Sequence, residues 1–299
     1  MSQPWSPTKR KRARWVLVLL VLGPILATVV SVIVVPNSPA DTITTSSAGT
    51  SRSLEVRAVL RNLNADLGEV TLRLQFQPVG TLAGSSGLAT PVKIVVLGAT
   101  EGGAISLTAD APPPLTQLTL PLVGSRVTRY PLDRYETKLV MAAETDAGVP
   151  VPLSVRIAAN LNDFSTRAEL DRPTIRSNSF GARFSFRRNA ATLVWSGILI
   201  MIFWLVAAGG AMLTWMVIVD NQPIPIWVWA FLTGILFALP PLRVGLPGAP
   251  PFGSLVDWLA FYWAVVVVAA SLVALMTTWF IRQRALLRAA DLSHDRPDA

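Results

Sequence analysis

Two segments of this chain carry the charged side chains whose positions favour a specific role. The first reads YPLDRYE and covers residues 130–136, and the second reads RVGLPGAPPFGSLVD and covers residues 243–257. A carboxylate at the end of an apolar helix can bind a cation, carry a proton or pair with an arginine. Asp257 and its nearest basic neighbour, Arg243, are therefore the first candidates for such chemistry.

The chain offers few groups for other chemistry. It has no cysteine, and its single histidine, His294, lies in a polar C-terminal segment. These facts exclude thiol chemistry and a serine–histidine triad inside a folded domain. No pair of carboxylates has a spacing that favours acid–base catalysis. We therefore expect no catalytic residue, no cofactor and no metal site, and the sequence predicts that the protein is not an enzyme.

Four apolar stretches decide where the two segments lie. The hydrocarbon core of a membrane is roughly 30 Å thick and needs about 20 apolar residues. The predicted transmembrane helices are 15–35, 191–219, 226–242 and 255–281. The first stretch has a cleaved signal peptide as its alternative. The third is the shortest and ends in two prolines, so a re-entrant segment is its alternative.

Basic residues at both ends of the chain predict its orientation. Five lysines and arginines crowd residues 1–14, and Arg282, Arg284 and Arg288 follow the last apolar stretch in the tail 282–299. Because cytoplasmic flanks carry the excess of positive charge, both tails should be cytoplasmic and the block between the first two spans extracytoplasmic. The predicted location is the cell membrane, with several passes. Arg187 and Arg188 lie on the outer side, against this rule.

The net charge of +8 comes largely from the N-terminal tail. A basic cluster next to a span fits anionic lipid headgroups, so the lipid bilayer is the predicted partner of that tail. We expect no nucleic-acid binding.

The polar block between the first two spans has the alternation of β-strands. In residues 69–77, apolar side chains alternate strictly with polar ones, which is typical of a half-buried antiparallel strand. About eight such strands and no amphipathic helix predict an all-β sandwich over 53–188, after a linker over 36–52. The predicted strands are 53–60, 69–77, 92–97, 105–109, 118–122, 137–143, 151–159 and 180–187.

The fold class predicted is thus an α plus β membrane protein. One N-terminal transmembrane helix is followed by the exported all-β sandwich and then by three transmembrane helices. Gly209 and Gly210, with alanines on either side, give the second span a small-residue face for helix packing. Residues 243–254 form an outer loop that its prolines stiffen.

The YPLDRYE turn, the RVGLPGAPPFGSLVD loop and the one-plus-three arrangement of spans together resemble a known family. This is the uncharacterised actinobacterial membrane-protein family catalogued as domain of unknown function 4436. The resemblance covers most of the chain, from the first span to the last. It implies an envelope membrane protein without an assigned activity, and it brings no catalytic residues.

The two segments together give a hypothesis about how the domain meets the membrane. Its predicted residues are Tyr130, Pro131, Asp133, Arg134, Tyr135, Arg243 and Asp257. Asp133 or Arg134 is expected to dock on the outer loop, with Arg243 and Asp257 as the complementary charges. The alternatives are local: Asp133 accepts hydrogen bonds from its own turn, and Asp257 is a helix N-terminal charge that the dipole favours.

Three functions from different classes follow. The leading one is a non-enzymatic binding, sensing or scaffolding protein that presents its sandwich to an extracytoplasmic protein, glycan or lipid partner. The second is a subunit of a transporter or channel that uses Asp257. The third is an envelope enzyme that acts on lipid or glycan. The sequence leaves the oligomeric state open.

Overall fold

The computed structural model describes residues 43–45, 52–100, 103–124, 126–170, 179–220 and 222–294. The predicted first span, 15–35, and the basic tail before it lie outside the described residues.

The described residues form a two-sheet β domain followed by three helices. The strands are β1 (Ile43–Thr45), β2 (Arg52–Asn64), β3 (Glu69–Gly80), β4 (Val92–Leu97), β5 (Ala104–Leu107), β6 (Thr116–Pro121), β7 (Val123–Gly124), β8 (Arg134–Thr145), β9 (Leu153–Ala159), β10 (Phe164–Leu170) and β11 (Ser179–Arg188). The predicted arrangement of a β-sandwich followed by three apolar helices is confirmed.

The first sheet has the strand order β1-β9-β2-β3-β6. Strands β2 and β3 form a long antiparallel hairpin, whereas β2 and β9 are parallel. The hairpin turn follows from its residues: the Asn64 side chain accepts hydrogen bonds from the backbone N–H groups of Asp66 and Leu67, and Gly68 adopts a φ of 68°. Asparagine and glycine favour such turns for these two reasons.

The second sheet has the strand order β10-β11-β8-β4-β5, and the short β7 pairs with β8. The core of the domain lies between the two sheets. Apolar side chains at every second position of both sheets are buried there, among them Leu72 and Leu74 of β3 and Phe184 and Phe186 of β11. This alternation is the physical basis of the sandwich, because successive side chains of a strand point to opposite faces.

Three helices follow the sandwich: α1 (Ala190–Ile218), α2 (Ile226–Val244) and α3 (Tyr262–His294). A π-helical turn, Asp257–Phe261, leads into α3. All three helices are long and apolar enough to cross a membrane. Of the predicted small-residue face, Gly210 lies at a helix contact: a Cβ there would be 3.2 Å from Leu232 and 3.7 Å from Val268. A side chain at Gly209 would meet open space.

The elements differ from the predicted ones in number and in extent. Residues 43–45 form β1, which pairs with β9, and Arg52 begins β2, so the predicted linker 36–52 includes sheet residues. Strands β7 and β10 lie where the sequence predicts no strand. Helix α3 continues to His294 through residues that we assigned to the C-terminal tail, because the arginines, alanines and leucines after Ile281 all favour helix.

Candidate functional site

The junction between the β domain and the helices is the site where the predicted residues meet. One part of it is the junction turn, residues 126–133, which connects β7 to β8 and whose base is closed by the pairing of Gly124 with Tyr135. The other part is the predicted outer loop, residues 243–254, which leads from α2 towards the π-helical turn and whose first two residues, Arg243 and Val244, are the last two of α2.

Tyr130 of the junction turn lies among the helices and not in the sandwich core. Its side chain is fully buried in a cluster with Leu199 and Phe203 of α1 and Phe261. Its hydroxyl lies 2.9 Å from the Oγ of Ser196, also buried. Burial raises the pKa of Tyr130 above its ordinary value, because the charged phenolate is disfavoured away from water. The turn therefore inserts an aromatic ring, with its polar end satisfied, into the helix bundle.

Asp133 and Arg188 form a buried ion pair behind Tyr130. The Nε of Arg188 lies 3.1 Å from each carboxylate oxygen, and a terminal nitrogen lies 3.1 Å from Oδ2. The side chains are 0% and 3% exposed, respectively. The guanidinium also lies over two rings, 4.9 Å from the centre of Tyr130 and 4.1 Å from that of Phe164. Burial with several hydrogen bonds is the arrangement in which a charge pair tolerates the loss of water.

Strand β11 runs directly into α1 through a single residue, Asn189. Its side-chain oxygen accepts a hydrogen bond from the Thr192 N–H at 2.8 Å, which caps the helix. Its side-chain nitrogen donates to the Asn162 carbonyl at 2.7 Å, and its backbone N–H donates to the Asp163 carbonyl at 3.0 Å. The first turn of α1 is thereby tied to the segment before β10.

Arg243 and Asp257 form a second buried ion pair, which holds the outer loop. Two parallel hydrogen bonds join them, at 2.9 Å from Nε and 2.8 Å from a terminal nitrogen. The same guanidinium donates to the carbonyls of Pro250 and Pro251, both at 2.8 Å, and lies 4.3 Å from the ring centre of Phe252. Arg243 thus fixes the loop from inside at several points.

Asp257 is also part of a helix cap. Its Oδ2 accepts from the backbone N–H of Gly253 at 2.8 Å and from both the N–H and the hydroxyl of Ser254 at 3.0 Å. Ser254 and Asp257 have the Ser-x-x-acid spacing of a capping box. Since Arg243 and the cap use both oxygens, the carboxylate is fully hydrogen-bonded within the chain.

The outer loop lies against the β domain. Gly248 has a φ of 71° and packs so closely on Arg188 that a side chain at this position would clash with the guanidinium. A cleft of about 340 Å³ opens beside this contact, between the β2–β3 turn and the loop. The loop is therefore in contact with the end of β11, at Arg188 of the first ion pair.

The predicted site residues fall into two groups. Tyr130, Asp133, Arg243 and Asp257 belong to the junction, and Pro131 is half-buried in the same turn. Arg134 and Tyr135 do not: Arg134 is exposed at the start of β8, and Tyr135 is buried in the sandwich core, edge-on to Phe164 at 6.0 Å.

The expected pairing between the turn and the outer loop differs from the observed one. Asp133 pairs with Arg188, whereas Arg243 and Asp257 pair with each other. Neither pair joins the turn to the outer loop directly; Arg188 at the end of β11 pairs with Asp133 of the turn and packs against Gly248 of the loop, and so connects the two. The sequence reading missed Arg188, Ser196 and Ser254. For Ser254 a signal existed in the Ser-x-x-Asp spacing. For Arg188 the signal was its position on the predicted outer side of the membrane, against the rule that positive charge is concentrated on the cytoplasmic side. A positive charge there is more stable with an acidic partner.

Together these features define a class: a two-sheet β protein whose domain sits, through buried ion pairs and an inserted tyrosine, on a bundle of three long apolar helices. Residues 44–181 match the model of a family described as domain of unknown function DUF4436, and residues 188–282 match one described as domain of unknown function DUF8686. The β domain thus matches one uncharacterised domain family, and the helical part matches another. The first match ends at residue 181, within β11, and the second begins at residue 188, the last residue of that strand. No curated protein matches the chain.

Proposed function

We propose that this protein is a non-enzymatic, multi-pass protein of the cell membrane that holds an extracytoplasmic β-sandwich in a fixed position for binding an envelope partner. The observation that carries the proposal is the buried junction, in which Tyr130, Asp133 and Arg188 tie the sandwich to the helices. A binding surface whose orientation is already fixed loses less freedom when a partner binds.

The helices support a position in the membrane. Large apolar side chains on their outer surfaces are exposed, among them Leu205 and Met212 of α1, Phe237 of α2 and Val273 of α3. Such surfaces are stable in lipid and costly in water. The arginines in the C-terminal part of α3, Arg282, Arg284 and Arg288, favour a cytoplasmic C-terminus, which puts the junction and the sandwich outside. Arg188 fits this orientation because Asp133 compensates its charge.

The junction supports a structural role for Asp257 and not an ion-carrying one. A carboxylate that carries an ion or a proton must exchange its partners during each cycle. Asp257 instead accepts hydrogen bonds from Arg243, Gly253 and Ser254. In this proposal the pair stabilises the outer loop under the sandwich.

The outer face of the first sheet is the surface that we propose for the partner. Arg57 of β2 and Arg156 of β9 lie directly opposite each other there, both exposed. They border a shallow cavity of about 110 Å³ whose other polar walls are Glu55, Gln75 and Gln77. Adjacent guanidinium groups with amides at their side fit carboxylate or phosphate groups of a protein or glycan partner.

The test is co-purification of the full chain from detergent-solubilised membranes, with bound protein and glycan identified by mass spectrometry and sugar analysis. The variant Arg57→Gln/Arg156→Gln should lose the bound material. The control variant Lys138→Gln/Arg183→Gln removes two charges that face each other on the other sheet and should retain it. Equal recovery by the wild type and the Arg57/Arg156 variant would contradict the assignment of this face.

A further inference from the structure

The membrane-facing end of the β domain carries a cluster of exposed arginines. Arg126 and Arg129 lie in the junction turn, and Arg187 lies at the end of β11. Arg134 lies directly opposite Arg187 in the register of β8 and β11. Directly opposite residues have Cβ atoms about 4.5–5.5 Å apart, so positive charge is concentrated here. Glu136 lies two positions farther along β8, and the other acidic residues of this face, Glu144 of β8 and Glu169 of β10, lie farther from this end.

The fold places these arginines close to the end of the β domain from which the helices begin. Tyr130, in the same turn, is buried between helices, so the turn cannot be far from them. Arg187 precedes the first residue of α1 by three positions, or about 10 Å of extended chain. If the helices cross the membrane, as in the proposed function, all four arginines lie at the depth of the outer-leaflet headgroups.

Leu132 adds an apolar element to the cluster. It follows Pro131 in the junction turn and is 62% exposed, although Tyr130 and Asp133 on either side are buried. An exposed leucine flanked by arginines is typical of a surface that contacts a bilayer, where the apolar side chain enters the lipid and the cations meet phosphates.

From this arrangement we infer that the junction turn and the end of β11 form a binding surface for anionic phospholipid headgroups of the outer leaflet. Guanidinium groups bind phosphate through parallel hydrogen bonds. Arg126, Arg129 and Arg187 bind the headgroups, and Leu132 reaches into the acyl boundary. The surface explains why arginines occur here, on the side of the membrane that usually has few. It rests on the proposed membrane position but not on the partner-binding face of the first sheet.

The test uses the full chain in lipid nanodiscs. Because the chain has no cysteine, Leu132→Cys can be labelled uniquely with a fluorophore. Two nanodisc samples are prepared from phosphatidylcholine. One contains a few per cent of a nitroxide-labelled phosphatidylglycerol, and the other the same amount of a nitroxide-labelled phosphatidylcholine; in both, the quenching nitroxide lies near the headgroup. The anionic lipid should quench the label more strongly. The difference in quenching gives the relative affinity of the surface for the anionic lipid over the zwitterionic one.

The variant Arg126→Gln/Arg129→Gln/Arg187→Gln should lower the preference for the anionic lipid by at least roughly fivefold, the effect of one basic residue near a membrane surface. The matched control is Lys93→Gln/Lys138→Gln/Arg183→Gln, which removes three exposed positive charges from the same sheet. Arg183 is four residues from Arg187, or about 13 Å, which exceeds a Debye length of about 8 Å. The control should retain the preference.

Equal quenching by the two lipids in the wild-type protein would overturn the surface while leaving the proposed membrane position intact. An unchanged preference in the arginine variant, or an equal loss in the control, would also overturn it. Absence of quenching by either lipid would overturn both the surface and the proposed position of the junction at the membrane. Failure of the lipid-binding surface alone is therefore distinguishable from failure of the proposed membrane position.

Discussion

At the scale of single residues, the junction depends on charges that are paired and buried. Asp133 and Arg188 are both buried, so neither can find water if its partner is removed. A buried charge that loses its partner costs far more than the pair contributes, because its desolvation is no longer offset. Substitutions of one partner and of both partners should thus differ.

We predict that Asp133→Ala lowers the stability of the detergent-solubilised protein by about 3–5 kcal/mol and that Asp133→Leu/Arg188→Met recovers most of the loss. Thermal unfolding monitored by tryptophan fluorescence measures both. The control, Glu169→Ala, removes an exposed carboxylate beside Arg183 and should change stability by less than about 1 kcal/mol. A double variant as unstable as Asp133→Ala would show that the pair itself is not the cause.

For Asp257 we predict that Asp257→Asn destabilises the outer loop. The amide cannot accept both guanidinium hydrogen bonds of Arg243 and still complete the cap with Ser254. Limited proteolysis should cut the variant faster within 243–254 than the wild type, whereas Asp220→Asn, at an exposed position, should behave as the wild type. Unchanged proteolysis together with a loss of ion transport would favour the transport function instead.

At the scale of elements, what the sequence predicted depended on how regular each pattern was. Strand β4 was predicted with its observed bounds, and β3 was predicted from its first residue because its apolar side chains alternate strictly. Strand β10 escaped because its inward residues after Phe164 are Thr166 and Ala168, which are only weakly apolar. The Asp133–Arg188 pair escaped because its members are 55 residues apart and meet only through the register of β8 and β11.

The single-residue connection between β11 and α1 makes a further prediction at this scale. Asn189→Ala should destabilise the first turn of α1 by about 1 kcal/mol through loss of the cap. Asn189→Asp keeps the acceptor for the Thr192 N–H but loses the donor to the Asn162 carbonyl. Hydrogen exchange at residues 190–194 should therefore accelerate in the alanine variant and stay near wild type in the aspartate variant. Equal acceleration in both would show that the contact with Asn162 holds the turn.

At the scale of the whole molecule, two properties are proposed: the orientation of the chain in the membrane and the fixed orientation of the β domain on the helices. Alkaline phosphatase fused after Gly248 should be active outside the cell, and fusions after Gln222 or Arg288 should be inactive inside, because the basic C-terminal segment favours the cytoplasm. The fusions are compared at equal amounts of fusion protein, so that each serves as the control for the others. Activity at Gln222 would contradict the crossings by α1 and α2.

The central claim is that the junction holds the β domain in one orientation on the helices, and spin-label distances test it most directly. The exposed residues Leu97 of β4 and Val244 of α2, at 62% and 61% exposure, can carry the two labels in a chain without other cysteines. Pulsed electron–electron double resonance in nanodiscs should give one narrow distance distribution between the two labels when the junction is wild type, and a broader distribution in the Asp133→Ala variant. A broad or multiple distribution with the junction intact would contradict the account.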